Sequence, residues 1–223
     1  MKKNFYIIIP AFNEEKVIKS VIRELKDEGY KYIIVVDDGS RDATYKRASH
    51  AGAIVLRHKI NRGKGAAIKT GIEVAKRLNA HLIVTFDADG QHDPKDIKKM
   101  LILIQKGYDV ILGSRFLKPQ KIPLMKRTGN MVANLITYAF YGIWVTDSQS
   151  GFRAYSNRAF TSINSESDRY EFDTEVLRDI KKNHLRYKEI PMHVRYTAYS
   201  QNKENRQNIA SAILTMIKVI FSA

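Results

Sequence analysis

Two aspartates separated by one residue, Asp87 and Asp89, follow an apolar run from His81 to Phe86. The run is typical of a buried strand, and strict alternation along it places both carboxylates on the same side of the extended chain. Two carboxylates so close repel each other unless a cation lies between them. Mg²⁺ and Mn²⁺ prefer oxygen ligands, commonly carboxylates together with substrate phosphates. The spacing therefore predicts a metal site that holds a diphosphate.

The same stretch also has a simpler interpretation, as an acidic turn before a helix. Asp93 can cap that helix, and Pro94 can occupy its first position. Because the capping then falls on Asp93, the carboxylates of Asp87 and Asp89 remain available for a cation. We therefore favour the metal site, with the cap beside it.

The composition bounds the kind of protein. The chain has 223 residues, of which 44% are hydrophobic, and this is enough for one substantial core. It contains no cysteine, which excludes a disulfide framework and a thiolate zinc site. Neither a signal peptide nor a membrane-spanning window is recognisable, so we expect a cytoplasmic protein.

The charge is strongly basic, with a net value of +15 and a pI near 9.8. Such a balance suggests a polyanionic partner, either nucleic acid, anionic lipid or a phosphate-rich substrate. No acidic residue occurs between Asp109 and Asp147, although five basic ones do: Arg115, Lys118, Lys121, Lys126 and Arg127.

Apolar runs and helical periodicities alternate over the first half of the chain. Strands are expected at 5–9, 32–36, 53–56, 81–86 and 109–112. This alternation predicts an α/β fold with a Rossmann-like, mostly parallel sheet and helices on both faces. Ligands of such sheets bind beyond the carboxyl ends of the strands, where the chain places its loops at 10–15, 37–40, 87–91 and 113–115. A further strand is expected from Tyr187 to Tyr196, at a sheet edge because it contains Pro191.

Two loops, at 37–40 and at 61–65, have less specific chemistry. Asp37 and Asp38 follow a buried strand, where an acidic residue can bind a ribose. Alternatively, they form an Asp-Gly turn, with Ser40 or Asp42 capping the helix that follows. The basic loop from Asn61 to Gly65 lacks the spacing of a P-loop. Its Lys64 can offset the charge of a diphosphate or remain solvated.

Six segments occur in a characteristic order. They are Pro10-Ala11-Phe12-Asn13-Glu14, Asp37-Asp38-Gly39-Ser40, Asn61-x-Gly-x-Gly, Asp87-Ala88-Asp89-x-Gln91-His92, Gly113-Ser114-Arg115 and Gln149-Ser150-Gly151-Phe152-Arg153. Each alone is unspecific. As an ordered set, from residue 5 to about 196, they resemble the family 2 glycosyltransferases of the dolichyl-phosphate mannose and glucose synthase type.

The resemblance implies a GT-A fold and an inverting transfer of a sugar from a UDP- or GDP-linked donor to a polyprenyl or dolichyl phosphate. It places Asp87, Asp89 and Gln91 on a Mg²⁺ or Mn²⁺ ion, and it makes Asp87, Asp89 and Arg115 the catalytic set. The residues expected to bind the nucleotide-sugar are Pro10, Phe12, Glu14, Asp38, Lys64 and Ala88. Those expected at the acceptor phosphate are Arg115, Arg127, Arg153 and Ser150.

Three features depart from the family pattern. Phe12 stands where the family often has tyrosine, so a phenolic contact is lost. The segment 198–203 lacks the usual glycine-serine-lysine signature, which removes the basis for assigning a role to Arg195 or Lys203. Many relatives carry spanning helices after this domain, whereas none is recognisable here.

The chemistry of a phosphate acceptor is consistent with these residues. A phosphate monoester has a second pKa of about 6 and is largely dianionic at neutral pH, so it needs no general base. Arg127 and Arg153 have the alternative of being solvated surface charges. Glu171, Asp173 and Glu175 could supply a base for a hydroxyl acceptor, but we prefer the interpretation that they are acids favoured by a helix N-terminus.

We expect one domain over residues 1–205, with an amphipathic insertion at 117–145, and a C-terminal amphipathic helix at 206–223. The insertion combines apolar and aromatic residues from Ile122 to Val145 with basic residues at its start, which suits a helix lying on an anionic membrane surface. The terminal helix, from Ile209 to Phe221, would lie beside it. The alternative is that both helices close the core or form a dimer seam.

Two other functions remain open at this point. A sugar-phosphate nucleotidyltransferase shares the sheet and the metal-bound diphosphate, but the loop from Pro10 to Glu15 has no glycine. A non-enzymatic basic module for nucleic acid or membranes would explain the charge, although the acidic loops at the ligand edge argue against nucleic acid. We expect peripheral association with the cytoplasmic membrane face, and a separate membrane protein as a possible user of the product.

Overall fold

The computed structural model describes residues 4–120, 122–169 and 171–195. The strands are β1 (Phe5–Ala11), β2 (Ile33–Asp37), β3 (Ile54–Arg57), β4 (Leu82–Thr85), β5 (Val110–Ser114), β6 (Arg153–Ser156) and β7 (Tyr187–Pro191). The helices are α1 (Ile18–Asp27), α2 (Thr44–His50), α3 (Lys64–Arg77), α4 (Lys95–Gln105), α5 (Leu124–Tyr141), α6 (Asn157–Ser162) and α7 (Glu171–Lys182).

The strands form one seven-stranded sheet in the order β3-β2-β1-β4-β6-β5-β7. All neighbours pair in parallel except β6, which is antiparallel to both β4 and β5. The mostly parallel sheet predicted from the alternation is therefore confirmed. Because β4 and β5 are both antiparallel to β6, they run in the same direction, and their following loops lie at the same sheet edge as those of β1 and β2.

The core consists of two apolar layers, one on each face of the sheet. Ile8 and Ile34 point into the layer built with α3 and α7, whereas Ile7, Ile9 and Val35 point into the layer built with α1 and α4. This is the period-two alternation of a strand that is buried on both faces. The predicted covering of both faces by helices is confirmed.

In the turn before α4, the Oδ1 atom of Asp93 accepts a hydrogen bond from the backbone amide of Lys95 at 3.0 Å. The helix begins at Lys95, one residue later than a proline in its first position would give. Pro94 thus occupies the capping position instead of the first helical position predicted for it, and Asp93, one residue before it, contacts the first residue of the helix.

The edge position predicted for the last strand is confirmed, because among the described strands β7 stands at the end of the sheet order, with β5 as its neighbour. Pro191 pairs with Ser114 at the last position of this ladder. The strand is shorter than predicted, ending at Pro191, and Tyr196 lies outside the described residues.

Helix α5 reverses the usual arrangement of an amphipathic helix on a core. Its inward residues are polar, with Asn130, Asn134 and Thr137 all at most 5% exposed. Its outward residues are large and apolar, and about half or more of each is exposed: Leu124, Met131, Val132, Leu135, Tyr138 and Phe140. Among the described helices, none is long and apolar enough to cross a membrane.

The segment after α5 bears on the alternative that the insertion closes the core. Ile143 and Val145 are buried in the layer that contains α3 and α7. The insertion therefore does contribute to the core, but through its end and not through the apolar face of α5. The predicted helix from Ile209 to Phe221 lies outside the described residues, so the domain division at 205/206 stays a prediction.

Candidate active site

An open cleft of about 680 Å³ lies beyond the carboxyl ends of β1, β2 and β3. It is lined by the predicted Phe12 and, among others, by Gly39, Arg41, Arg57 and Asn61. Phe12 is 39% exposed, so part of its ring is presented to the cleft. An aromatic ring among basic side chains suits a nucleobase and its phosphates.

The loops around this cleft are joined by hydrogen bonds from backbone amides to side-chain oxygens. Ser40 Oγ accepts from the amide of Asn13 at 2.9 Å, and Asn13 Oδ1 accepts from the amide of Arg41 at 2.9 Å. The amide of Glu14 donates to Thr44 Oγ1 at 2.8 Å. The first two of the six segments thus form one unit, with Glu14 and the strand residue Pro10 buried beneath its surface.

Asp38 holds the third segment in place. Its Oδ1 accepts from the amide of Arg62 at 3.0 Å and lies 2.7 Å from His58 Nδ1, while its Oδ2 accepts from the amide of Gly63 at 2.7 Å. Asp38 is 3% exposed and is not among the residues that line the cleft. In this structure its carboxylate orders the basic loop, and its predicted ribose contact stays a prediction.

Asp87 lies between two nitrogen donors. Lys64 Nζ is 2.9 Å from its Oδ1, and His92 Nε2 is 2.9 Å from its Oδ2. Burial alone would raise the pKa of Asp87, but Lys64 and His92 outweigh it and hold that pKa well below its usual range. Burial would likewise lower the pKa of Lys64, but Asp173 and Asp87 raise it above its ordinary value. Asp87 is therefore ionised, as a metal ligand must be.

Gly151 explains how Lys64 reaches this position. A Cβ atom added at Gly151 would collide with Lys64 Nζ and lie close to Asp87 Oδ1. A side chain at this point of the last segment would displace the tip of the lysine, so the glycine leaves the space in which Lys64 meets Asp87.

Lys64 also brings Asp173 into the site, 3.5 Å from its Nζ atom. Asp173 is 5% exposed and stands in the first turn of α7. Its neighbour Glu175 accepts hydrogen bonds from the amide and hydroxyl of Ser167, which is a structural role. Of the three acids considered from the sequence, Asp173 is thus the one that contacts a site residue.

Arg153 is buried, with 1% of its surface exposed, so the alternative of a solvated surface charge is wrong for this residue. Its guanidinium donates to the carbonyl oxygens of Ser150, Asp173 and Ser148 at 2.8–3.1 Å. Ser150 is also buried, at 4%. Both residues lie beneath the surface of the site, and their predicted contact with an acceptor phosphate stays a prediction.

The remaining predicted metal ligands follow Asp87 in one short loop. Asp89 Oδ1 accepts from the amide of Gln91 at 3.0 Å, and the carbonyl of Gln91 accepts from the amide of Arg195 at 2.8 Å. Ala88, between the two aspartates, is 4% exposed. Two carboxylates and one amide oxygen on such a loop fit a hard divalent ion that completes its shell with diphosphate oxygens. Within the described ranges, no group of three or more His, Cys, Asp or Glu is arranged to hold a metal, so the fit rests on this mixed set.

Arg115 is fixed by a carboxylate that the sequence analysis did not select. Asp147 accepts from the Nε and Nη2 atoms of Arg115, both at 2.8 Å, and from its backbone amide at 3.0 Å. The Asp147 side chain is fully buried, and that of Arg115 is 21% exposed. The one available signal was that Asp147 is the first acidic residue after the basic stretch. Arg127 is exposed in the first turns of α5.

The chain matches known proteins over most of its length. The model described as "Glycosyl transferase family 2" matches residues 6–163. A UDP-N-acetylglucosamine–dolichyl-phosphate N-acetylglucosaminyltransferase of Methanococcus voltae is 39% identical, over 97% of this chain and 97% of the relative. A polyprenol monophosphomannose synthase of Mycolicibacterium smegmatis is 25% identical, over 93% of this chain and 83% of the relative.

A solved structure with the same fold is glucosyl-3-phosphoglycerate synthase from Mycobacterium tuberculosis, in complex with Mn²⁺, UDP and phosphoglyceric acid. It has a TM-score of 0.70 at 20% sequence identity and covers 96% of this chain and 78% of its own.

Proposed function

Because the chain belongs to glycosyl transferase family 2, we propose that it transfers a sugar, with inversion, from a nucleotide-sugar to a polyprenyl phosphate. The family, the GT-A fold and the glycosyltransferase activity predicted from the six segments are confirmed by the matches. They also decide against the nucleotidyltransferase and the non-enzymatic binding module. The relative at 39% identity supports UDP-N-acetylglucosamine as the first donor to test.

The observation that carries this proposal is the common edge of the acidic loop after β4 and the arginine after β5. At one place the sheet presents Asp87 and Asp89, which suit a cation-bound diphosphate, and at the other Arg115, oriented by Asp147. A donor diphosphate and an acceptor phosphate are both anions and repel each other. A site that brings them together therefore needs positive charge on both sides. Lys64 and a bound cation would supply it at the diphosphate, and Arg115 would supply it at the acceptor.

The donor side is assigned to the cleft and to the acidic loop. Phe12 would contact the base, and Asp87, Asp89 and Gln91 would hold Mg²⁺ or Mn²⁺ on the diphosphate. The bound ion would offset the charge that develops on the leaving nucleoside diphosphate. Lys64 keeps Asp87 ionised and adds a second positive charge close to the diphosphate.

The acceptor side is assigned to Arg115, with Arg127 nearer the surface. An oxygen of the acceptor phosphate forms a bond to the anomeric carbon while the bond from that carbon to the diphosphate breaks. No proton has to be removed from a dianionic phosphate, so Asp173 need not act as a base, and its contact with Lys64 gives it a charge-balancing role.

The lipid tail of such an acceptor requires a membrane surface, and α5 supplies a suitable face. Leu135, Tyr138 and Phe140 are each 46–55% exposed on one helix whose inner residues are polar. The aromatic and apolar side chains would enter the headgroup region, while exposed Lys118 and Arg127 would attract anionic lipid. We propose that this face holds the site at the cytoplasmic leaflet as a peripheral contact.

The proposal is tested with the purified chain, UDP-N-acetylglucosamine, Mn²⁺ and either a short polyprenyl phosphate or the matching polyprenol. We expect UDP release that depends on the phosphate and a glycolipid product. GDP-mannose and UDP-glucose serve as donor comparisons. Equal use of the polyprenol would refute the phosphate acceptor, and release that requires neither lipid would show a different acceptor.

A further inference from the structure

The polar inner face of α5 has a specific partner. Asn134 Nδ2 donates to the carbonyl of Thr146 at 3.0 Å, and Asn134 Oδ1 accepts from the amide of Ser148 at 3.0 Å. One carboxamide therefore binds the backbone on both sides of Asp147. Asn130 Nδ2 donates to the same Thr146 carbonyl at 2.8 Å.

The residue between these two contacts orients Arg115. Both carboxylate oxygens of Asp147 accept from the Arg115 guanidinium, in the side-on, two-bond geometry that fixes the plane of the group. Asp147 is fully buried and lies in a loop, so its own direction depends on the backbone at residues 146 and 148. The chain of contacts from α5 to the guanidinium thus passes through Asn134, the 146–148 backbone and Asp147.

The same backbone is held from the opposite side. Thr146 donates from its amide and its hydroxyl to Glu189 Oε1, both at 2.8 Å, and its hydroxyl lies 2.6 Å from that of Ser114, next to Arg115. Residue 146 is therefore fixed by β5, β7 and α5. At residue 148 the carbonyl accepts from Arg153, and the amide donates to Asn134. Loss of Asn134 would remove the contact that holds the Ser148 amide and so loosen the backbone beside Asp147.

We infer that Asn134 is a positioning residue for the acceptor step. It acts through Asp147, whose carboxylate holds the Arg115 guanidinium in the direction from which it meets the acceptor phosphate. The inference rests on the proposed function, which places Arg115 at that phosphate. A misplacement of about 1 Å can cost about 100-fold in rate. Loosening Asp147, which contacts Arg115 directly, is therefore expected to lower the transfer rate measurably.

The test compares Asn134→Ala with Thr137→Val. Thr137 lies on the same inner face, is 1% exposed, and its hydroxyl donates to Ala133 of its own helix, so its loss does not touch residues 146–148. We measure the acceptor KM and kcat by UDP release, the UDP affinity by calorimetry, and the melting temperature. Where Asn134→Ala proves too unstable to assay, Asn134→Leu is measured in its place, because it keeps roughly the size of the side chain but makes neither the contact with Thr146 nor that with Ser148.

We expect the Asn134 variant to lower kcat/KM for the acceptor by about tenfold or more, with UDP affinity unchanged, and Thr137→Val to behave as the native protein. On an Arg115→Lys background, which retains the charge but not the two-bond contact, replacing Asn134 should have little further effect.

Additive effects of the two changes, or equal losses for acceptor and UDP, would overturn the inference. If Arg115→Lys itself leaves the acceptor kinetics unchanged, the proposed role of Arg115 is refuted and the inference with it. If Arg115→Lys impairs the acceptor step and the Asn134 variants do not, the inference alone fails.

Discussion

Lys64 Nζ lies 2.9 Å from Asp87 Oδ1, so the first aspartate of the predicted metal loop already has a cation beside it. The two side chains are 21% and 25% exposed, respectively. Lys64 is the first residue of α3 and Asp87 follows β4, so α3 and β4 lie between them in the sequence, and the fold brings their side chains together. The lysine therefore offsets repulsion within the acidic loop before any ion binds.

Replacing Lys64 by Met should expose this role. The change leaves Asp87 and Asp173 without their shared cation, and we expect a loss of about 2 kcal/mol in the free energy of unfolding. Added Mn²⁺ should recover part of that loss, because an ion that binds only the folded state stabilises it. The measurement is the melting temperature with and without Mn²⁺ for both proteins. A variant as stable as the native protein, or one that Mn²⁺ stabilises no more than the native protein, would contradict the shared-cation role.

Asp89→Asn tests the metal loop itself. The substitution keeps the shape of the side chain but removes a charged ligand, so transfer should fall by about 100-fold or more while the melting temperature is kept. Direct binding of Mn²⁺ in the presence of UDP, followed by electron paramagnetic resonance, should weaken in parallel. Asp93→Asn is the matched control, since Asp93 lies in the same loop but its side chain accepts from the amide of Lys95 at the start of α4. Full activity of the native protein in excess chelator would refute the metal assignment.

The apolar face of α5 leads to a membrane prediction. Leu135→Gln combined with Phe140→Gln should abolish co-sedimentation with anionic liposomes, because both side chains are about half exposed and support no core contact on that face. Ile54→Gln combined with Ile102→Gln is the control, since these residues are similarly exposed (44% and 43%) on other elements. Binding of the native protein should also weaken at high salt. A folded α5 variant that sediments fully would place the lipid contact elsewhere.

Asp96 gives the fold a defined dependence on pH. Burial alone would raise its pKa, but hydrogen bonds from Lys99 and His193 hold the pKa below its usual value. A carboxyl whose pKa is lowered in the folded state stabilises that state above its unfolded pKa, about 3.9, and the contribution is lost as the pH falls through the lower folded value. Asp96→Asn should therefore destabilise the protein at pH 7 by about 1–3 kcal/mol, and the difference should shrink below about pH 4.

The measurement for Asp96 is the difference in unfolding free energy between variant and native protein from pH 7 to pH 3. Asp27→Asn, at an exposed position of α1, should stay within about 0.5 kcal/mol throughout. A difference for Asp96→Asn that is constant over this range would show that the charge of the carboxyl is not the source of the stabilisation.

The sequence was sufficient for those parts of the fold that local patterns determine. The continuous apolar run at 5–9 predicted a buried strand, and Ile7, Ile8 and Ile9 do alternate between the two layers. The insertion of the antiparallel β6 between β4 and β5 could not be predicted in the same way. It depends on pairings such as that of Leu82 with Ser156, which no local period encodes.

The site, like the fold, has a part that local patterns predicted and a part that they did not. The loop residues follow strands and were predicted by position, whereas their partners come from distant segments. Asp147 is 32 positions from Arg115, and only the fold reveals that the two form an ion pair. Arg153 was expected at the surface or at the acceptor, but buried carbonyl oxygens satisfy its guanidinium. The inward orientation of the polar face of α5 likewise depends on the Thr146 carbonyl, which accepts hydrogen bonds from Asn130 and Asn134.

The most direct test of the central claim is ³¹P NMR of the complete reaction with UDP-N-acetylglucosamine, a short polyprenyl phosphate and Mg²⁺. The account predicts that the signal of the acceptor monoester is replaced by that of a sugar phosphodiester while UDP appears in equal amount. Proton coupling at the anomeric carbon should show the configuration opposite to that of the donor. Release of pyrophosphate, or an acceptor signal that stays unchanged while UDP accumulates, would contradict transfer of the sugar to the lipid phosphate.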